Sequence, residues 1–198
     1  MTKNPKSKGN QFERDMARRL SAWWSGWQTD DIFWRTDSSG GRSTQRSKQG
    51  LTTQNATGDI ASRCADGDLF IKHFVVEIKR GYNKLDPLVL LDKPANKNHI
   101  FVDWWKKLDM ECLRDNAAWP MLIFKRDRSE TLVAISEHFF EVMLKHYGYT
   151  PQINWIVLHF DGDRWPDAVV MNFEQFIAWL PGPKLREYLL QNEDHNPA

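Results

Sequence analysis

Apolar residues recur along the chain with two periods, and the switches between them mark its elements. From Gly9 to Trp27, Phe12, Met16, Leu20, Trp23 and Trp27 fall at helical spacing, with Arg14, Arg18 and Arg19 mostly off that stripe. This predicts an amphipathic helix that ends near Gly26. "DIFWRT" predicts a short strand, Ile32 to Thr36. Residues 37–57 are polar and rich in Gly, Ser, Thr and Gln, and neither period is present, so a mobile basic loop is expected. "GDIASRC" and "LFIKHFVVEIKR" then predict two strands folded into a hairpin at "ADGD", because Asp-Gly is a strong turn signal.

After an irregular, Pro- and Asn-containing connection over 84–102, "DWWKKLDMECLRDNA" predicts a helix. Its Trp104, Leu108, Met110 or Glu111, and Leu113 are expected inward or at the border of the core. "WPMLIFKRD" and "TLVAIS" predict strands around the polar turn "RDRSE". "EHFFEVMLKHYG" predicts a helix, "NWIVLHF" and "AVVMN" strands joined by the turn "DGDRWP", and "FEQFIAWLPGPKLREYLLQ" helical turns broken at Pro181. The order αβββαββ, followed by αββα, predicts an α/β fold with a mixed central sheet flanked by helices. The expected organisation is a core over residues 1–136 with a C-terminal αββα extension over 137–198 packed on it.

Composition narrows the function classes. The chain has 198 residues, 41% of them hydrophobic, which suits one domain with a substantial core. No apolar run approaches a membrane span, and "MTKNPKSKGNQ" has no hydrophobic stretch behind it. Cys64 and Cys112 are too far apart in sequence for a metal knuckle or a redox pair, so reduced thiols and a cytoplasmic setting (a bacterial, archaeal or phage-infected cell) are expected. Net charge is only +1, yet residues 1–57 hold 10 Lys/Arg against 5 Asp/Glu. A basic third on a mildly acidic body suggests one face for a phosphate backbone, although a merely solvated surface has the same composition. The six histidines show no ligand spacing, and "DGD" at 161–163 reads as a hairpin turn.

The chemistry concentrates in "FVVEIKRGYN", residues 74–83. In a strand, Leu69, Ile71, His73, Val75, Glu77 and Lys79 share one face, so two charges adjoin at the end of an apolar run. The predicted hairpin brings Asp59 near Glu77. Two carboxylates at the edge of a core repel each other and lose hydration, a conflict that a divalent cation removes; hard oxygen donors suit Mg²⁺. An isolated E-x-K is far more often a surface ion pair where a strand leaves the sheet, and it is the upstream "GD", the expected hairpin and the N-terminal helix that shift the reading.

Five segments carry a family resemblance: "KGNQFERDMARRL" in the first helix, "RTDSSG" after the first strand, "GDI", "VVEIK", and "WPMLIFKRD" after a helix. Over residues 8–136 the chain resembles the PD-(D/E)XK nuclease superfamily, and more closely its archaeal-type Holliday junction resolvases. The resemblance implies a restriction-endonuclease-like fold and a catalytic set of Glu13, Asp59, Glu77 and Lys79. It implies metal ligation by Asp59, Glu77, the Ile78 carbonyl and Glu13, with Mg²⁺ as cofactor and Mn²⁺ able to substitute. Arg35, Ser38 and Ser39 match a resolvase loop that approaches DNA, and Arg42, Arg46, Lys48 and Lys125 are further candidate DNA contacts. Gly58 stands where the motif has proline, 17 residues separate Asp59 from Glu77, and the polar loop is longer than a resolvase needs.

The implied function is a metal-dependent DNA endonuclease, structure-selective in the manner of a junction resolvase, active in recombination or repair, and homodimeric so that two sites meet two strands. A restriction, repair or phage-type duplex nuclease has the same residues. The same sequence is also compatible with a catalytically inactive DNA-binding module and with an RNA-directed nuclease.

Overall fold

The computed structural model describes residues 5–36, 58–82, 99–148, 152–160 and 166–192. Helix α1 (Pro5–Trp24) is followed by strands β1 (Phe33–Arg35) and β2 (Ile60–Ser62), helix α2 (Ala65–His73) and strand β3 (Phe74–Arg80). Helix α3 (Ile100–Asp115) leads to strands β4 (Trp119–Lys125) and β5 (Thr131–Ser136), then helix α4 (Glu137–Tyr147). Strands β6 (Trp155–Leu158) and β7 (Ala168–Asn172) and helices α5 (Phe173–Trp179) and α6 (Gly182–Gln191) complete the order.

Connection length sets the sheet. The long crossover through α3 makes β3 and β4 parallel, while the five-residue turn after Lys125 makes β4 and β5 antiparallel. With β7 and β6 added antiparallel, the result is a five-stranded mixed sheet in the order β3-β4-β5-β7-β6, flanked by helices. This is the α/β architecture expected and is compatible with a restriction-endonuclease-like fold. Strand alternation divides the core in two. Phe74, Val76, Ile78, Met121, Ile123, Val133 and Ile135 face a cluster completed by α1, α2, α4, α5 and α6. Val75, Leu122, Phe124 and Ala134 face α3, which covers them with Phe101, Val102, Trp105, Leu108 and Cys112. At the other end of the chain, Gly182 lets α6 approach α1 so closely that a Cβ there would stand 2.2 Å from the Trp23 carbonyl oxygen. The Trp23 indole N–H also donates to the Leu180 carbonyl at 2.7 Å.

Three expectations are corrected. "ADGD" is no hairpin turn: it opens α2, with Asp66 and Asp68 in the first turn where the helix dipole favours acids. Gly67 serves packing, since a Cβ would meet the Ser62 hydroxyl at 2.6 Å and Ile32 at 2.8 Å. Gly67, Phe70 and His73 are buried at helical spacing, so Leu69–His73 does not extend β3, and β2 pairs with β1 instead. Trp27 lies beyond the end of α1 and is 54% exposed beneath the Arg19 guanidinium, while Trp24 takes the buried place. Met110 and Leu113 are exposed, and Trp105, Leu108 and Cys112 form the inner stripe of α3.

Cys64 and Cys112 are free thiols, and burial pushes the Cys112 thiol well up. Among the described residues no helix is long and apolar enough to cross a membrane.

Candidate active site

β3 forms one edge of the five-stranded sheet, and the chain just before β2 lies against that edge. The Asp59 N–H donates to the Val76 carbonyl at 2.7 Å, and Asp59 Oδ2 accepts the Ile78 N–H at 2.7 Å. Asp59 therefore reaches Glu77 through this edge contact and not through the expected hairpin. The N–H and C=O of one strand residue point the same way, so the Ile78 carbonyl also faces this edge, beside the Asp59 carboxylate. Asp59 and Glu77 are 2% and 7% exposed, so two carboxylates are largely removed from water at one strand end.

Gly58 makes the approach possible. Its φ is +82°, and a Cβ would lie 2.5 Å from the Val76 carbonyl oxygen. Proline, fixed near a φ of about −65°, has no access to this backbone. On the other side, the Thr36 N–H donates to the Asp59 carbonyl at 3.0 Å and its hydroxyl to the Gly58 carbonyl at 3.0 Å.

Lys79 shares its strand face with Glu77. Its ammonium donates to Glu77 Oε1 and stands 3.9 Å from Asp59 Oδ2. Burial acts to lower the Lys79 pKa, but Glu77 and Asp59 outweigh it and hold the ammonium above its ordinary range. Lys79 is thus protonated at neutral pH. Burial, and after it the charge of Asp59, raises the Glu77 carboxyl despite Lys79 and Lys107 nearby. The site favours neutralising Glu77, by a proton or by a cation.

That sign has a consequence for stability. A carboxyl raised in the folded state favours folding when protonated, and the contribution is lost as pH rises through the raised value. In chelator at pH 8, Glu77→Gln should therefore melt at or above wild type, with the difference fading as pH falls towards 5. Calorimetry across that range checks it; a lower melting temperature for the variant at pH 8 contradicts it.

The other candidate residues separate. Glu13, on α1, is engaged by the Arg35 guanidinium, which also approaches the Asn10 side chain at 3.5 Å. Arg35 therefore lies against α1, 20% exposed. Lys125 ends β4 opposite Arg80, at the same sheet end as Glu77 and Lys79. Ser38, Ser39, Arg42, Arg46 and Lys48 lie outside the described residues, as do the expected loop 37–57 and the expected turn at 161–163.

Two groups escape sequence reasoning. Lys107, from α3, places its ammonium 3.8 Å from Glu77 Oε1, a contact across 29 intervening residues that no motif announces. At the opposite end of the sheet, Glu137, His159 and Asp167 bring potential ligand atoms within 4.8 Å of one another. There Asp167 accepts the Phe160 N–H at 3.0 Å and meets His159 Nδ1 at 2.6 Å, closing the β6–β7 connection and raising the His159 pKa.

Comparison with known families adds to this geometry. A family model described as "Phage putative PDDEXK endonuclease" matches residues 4–185, continuing past residue 136, where the sequence resemblance stops, through β6 and β7 into α6. No curated protein and no solved structure matches the chain. The match covers most of the chain, which belongs to the PD-(D/E)XK endonuclease family so described.

Proposed function

We propose that this protein is a metal-dependent DNA endonuclease that hydrolyses phosphodiester bonds at Asp59, Glu77 and Lys79, prefers branched DNA, and works as a homodimer. The observation that carries the reading is the meeting of two buried carboxylates, one of them raised by burial and by the other, on a sheet edge that also presents the Ile78 carbonyl. These donors are hard oxygens and the local charge calls for a cation, so the residues fit Mg²⁺, with Mn²⁺ as substitute. Asp59, Glu77 and the Ile78 carbonyl would hold it, and a divalent ion so placed would supply charge neutralisation of the scissile phosphate and a more acidic water.

The chain's own residues do the rest. Lys79, protonated and tied to Glu77, is placed to donate to a phosphate oxygen and stabilise the charge that grows there in the transition state. Its raised pKa makes it a poor general base. Glu13 is paired with Arg35; it would join the metal-holding set only by leaving that pair, which would free Arg35 for a DNA phosphate. Lys125 and the basic residues Arg42, Arg46 and Lys48, with Ser38 and Ser39, extend the backbone contact.

A second reading, a duplex endonuclease, is favoured by the phage description of the family. Labelled four-way junction, flap, duplex and single-stranded DNA, incubated with Mg²⁺, separate the two. Paired symmetric nicks in the junction support the resolvase-like reading and the dimer. Cleavage of plain duplex at least as fast as of the junction removes it in favour of the second. Tight binding with no cleavage of any substrate leaves a binding module and sinks both.

A further inference from the structure

Lys107 is 59% exposed, yet its ammonium sits between two carboxylates, 3.8 Å from Glu77 Oε1 and 3.6 Å from Glu111 Oε1. Both separations exceed hydrogen-bonding distance, so the lysine is attracted to the site without being committed to either partner, and an exposed pair of this kind costs little to release. One helical turn earlier on α3, Trp104 meets the ring of Tyr82 edge-on, with centroids 4.5 Å apart at 75°. Tyr82 lies two residues beyond the end of β3 and is 41% exposed. Trp104 is half-buried and packs against the α3 core, so the partly exposed tyrosine ring rests on a side chain that the core holds. Trp104, Lys107 and Glu111 share one helix face, and the first two are separated by roughly 4.5 Å along the axis.

An exposed aromatic ring beside a loosely held cation, next to a site for phosphodiester chemistry, matches the two parts of a nucleotide. We propose that Lys107 and Tyr82 form a strand-binding subsite on the α3 side of the carboxylates, with Lys107 taking a phosphate of the cut strand and Tyr82, braced by Trp104, stacking the adjoining base. This rests on the nuclease reading above and gives it a substrate class. A base can stack on Tyr82 only when it has left its neighbours, so the subsite selects DNA with an unpaired or unstacked nucleotide next to the cut, as at a flap, a branch point or a single strand. Lys107 then has two positions, against Glu77 in the free protein and on the phosphate in the complex.

The test is fluorescence anisotropy of labelled single-stranded and duplex oligonucleotides at several salt concentrations, with Ca²⁺ in place of Mg²⁺, alongside cleavage in Mg²⁺. Lys107→Gln should reduce the slope of log affinity against log salt by about 1 on both substrates, and Lys107→Arg should restore it. Tyr82→Ala should weaken single-strand binding roughly tenfold with a much smaller change on duplex, and Tyr82→Phe should behave as wild type. In cleavage, both losses should appear mainly in KM. If Lys107→Gln keeps the wild-type salt slope and Tyr82→Ala keeps single-strand affinity, while wild type cleaves and Glu77→Gln does not, the subsite is wrong and the nuclease reading stands. If wild-type protein neither binds nor cleaves any of these substrates, both are wrong.

Discussion

Asp59→Asn should abolish cleavage while leaving the fold in place. The Asp59 carboxylate has two roles, a negative charge beside Glu77 and an acceptor for the Ile78 N–H at 2.7 Å. Asparagine retains an acceptor oxygen and nearly the same volume, so the edge contact survives and only the charge is lost. A site that concentrates two carboxylates for one cation then has half its anionic ligands, and activity should fall by about 10²–10³-fold or more, the lower figures being the scale of removing a principal electrostatic group from an active site. Asp59→Ala differs in kind. It also leaves the buried Ile78 N–H unpaired, a cost of about 1–3 kcal/mol, so this variant should lose stability as well as activity. Melting curves and cleavage rates for the two variants side by side separate the roles. Equal destabilisation in both would mean that the charge itself holds the edge together.

Gly58→Ala should damage the fold and the site together. The added Cβ would lie 2.5 Å from the Val76 carbonyl oxygen and 3.1 Å from the Val76 nitrogen, both main-chain atoms of β3 with no room to rotate away. The backbone at φ +82° is strained for any side chain. Strain and overpacking together suggest a loss of about 2–5 kcal/mol. At about 2–4 °C per kcal/mol for a domain of this size, that is a fall in melting temperature on the order of 10 °C. Relief can come only by drawing residues 58 and 59 away from β3, which breaks the Asp59 N–H bond to Val76 and the Ile78 bond to Asp59. Residual folded protein should therefore be inactive too. Wild-type melting for Gly58→Ala would contradict the close approach on which the site depends.

The same glycine shows where sequence reasoning succeeds and where it stops. The Asp-then-Glu-x-Lys pattern is legible because strand alternation puts Glu77 and Lys79 on one face whatever the topology. Gly58 in the place of a proline reads as a tolerated exchange, but its backbone lies in a region that proline cannot enter, so the strand edge is approached in a conformation of its own. Asp66-Gly67 misleads because the dipeptide is favoured in turns, and what selects a helix start is the close contact of Gly67 with Ser62 and Ile32, which the local pattern does not contain. The proximity of Asp59 to Glu77 is legible all the same, since either topology brings the start of β2 beside β3.

Residues set by tertiary contact alone are not legible. Lys107 lies on a predicted helix with no signal that it faces Glu77, because that depends on how α3 packs on Val75, Leu122 and Phe124. Trp24 and Trp27 are both compatible with the α1 stripe by spacing, and only the helix end at Trp24 decides which is buried. The pairing of Glu13 with Arg35 likewise needs the antiparallel match of β1 with β2 to aim the arginine at α1.

The most direct test of the central claim is cleavage of radiolabelled DNA by purified protein in Mg²⁺ and in chelator, with Glu77→Gln run in parallel and its fold verified by melting. The expected result is backbone scission in Mg²⁺, none in chelator, and none by Glu77→Gln protein that melts normally. Cleavage that persists in the Glu77→Gln protein, or in chelator, would contradict it.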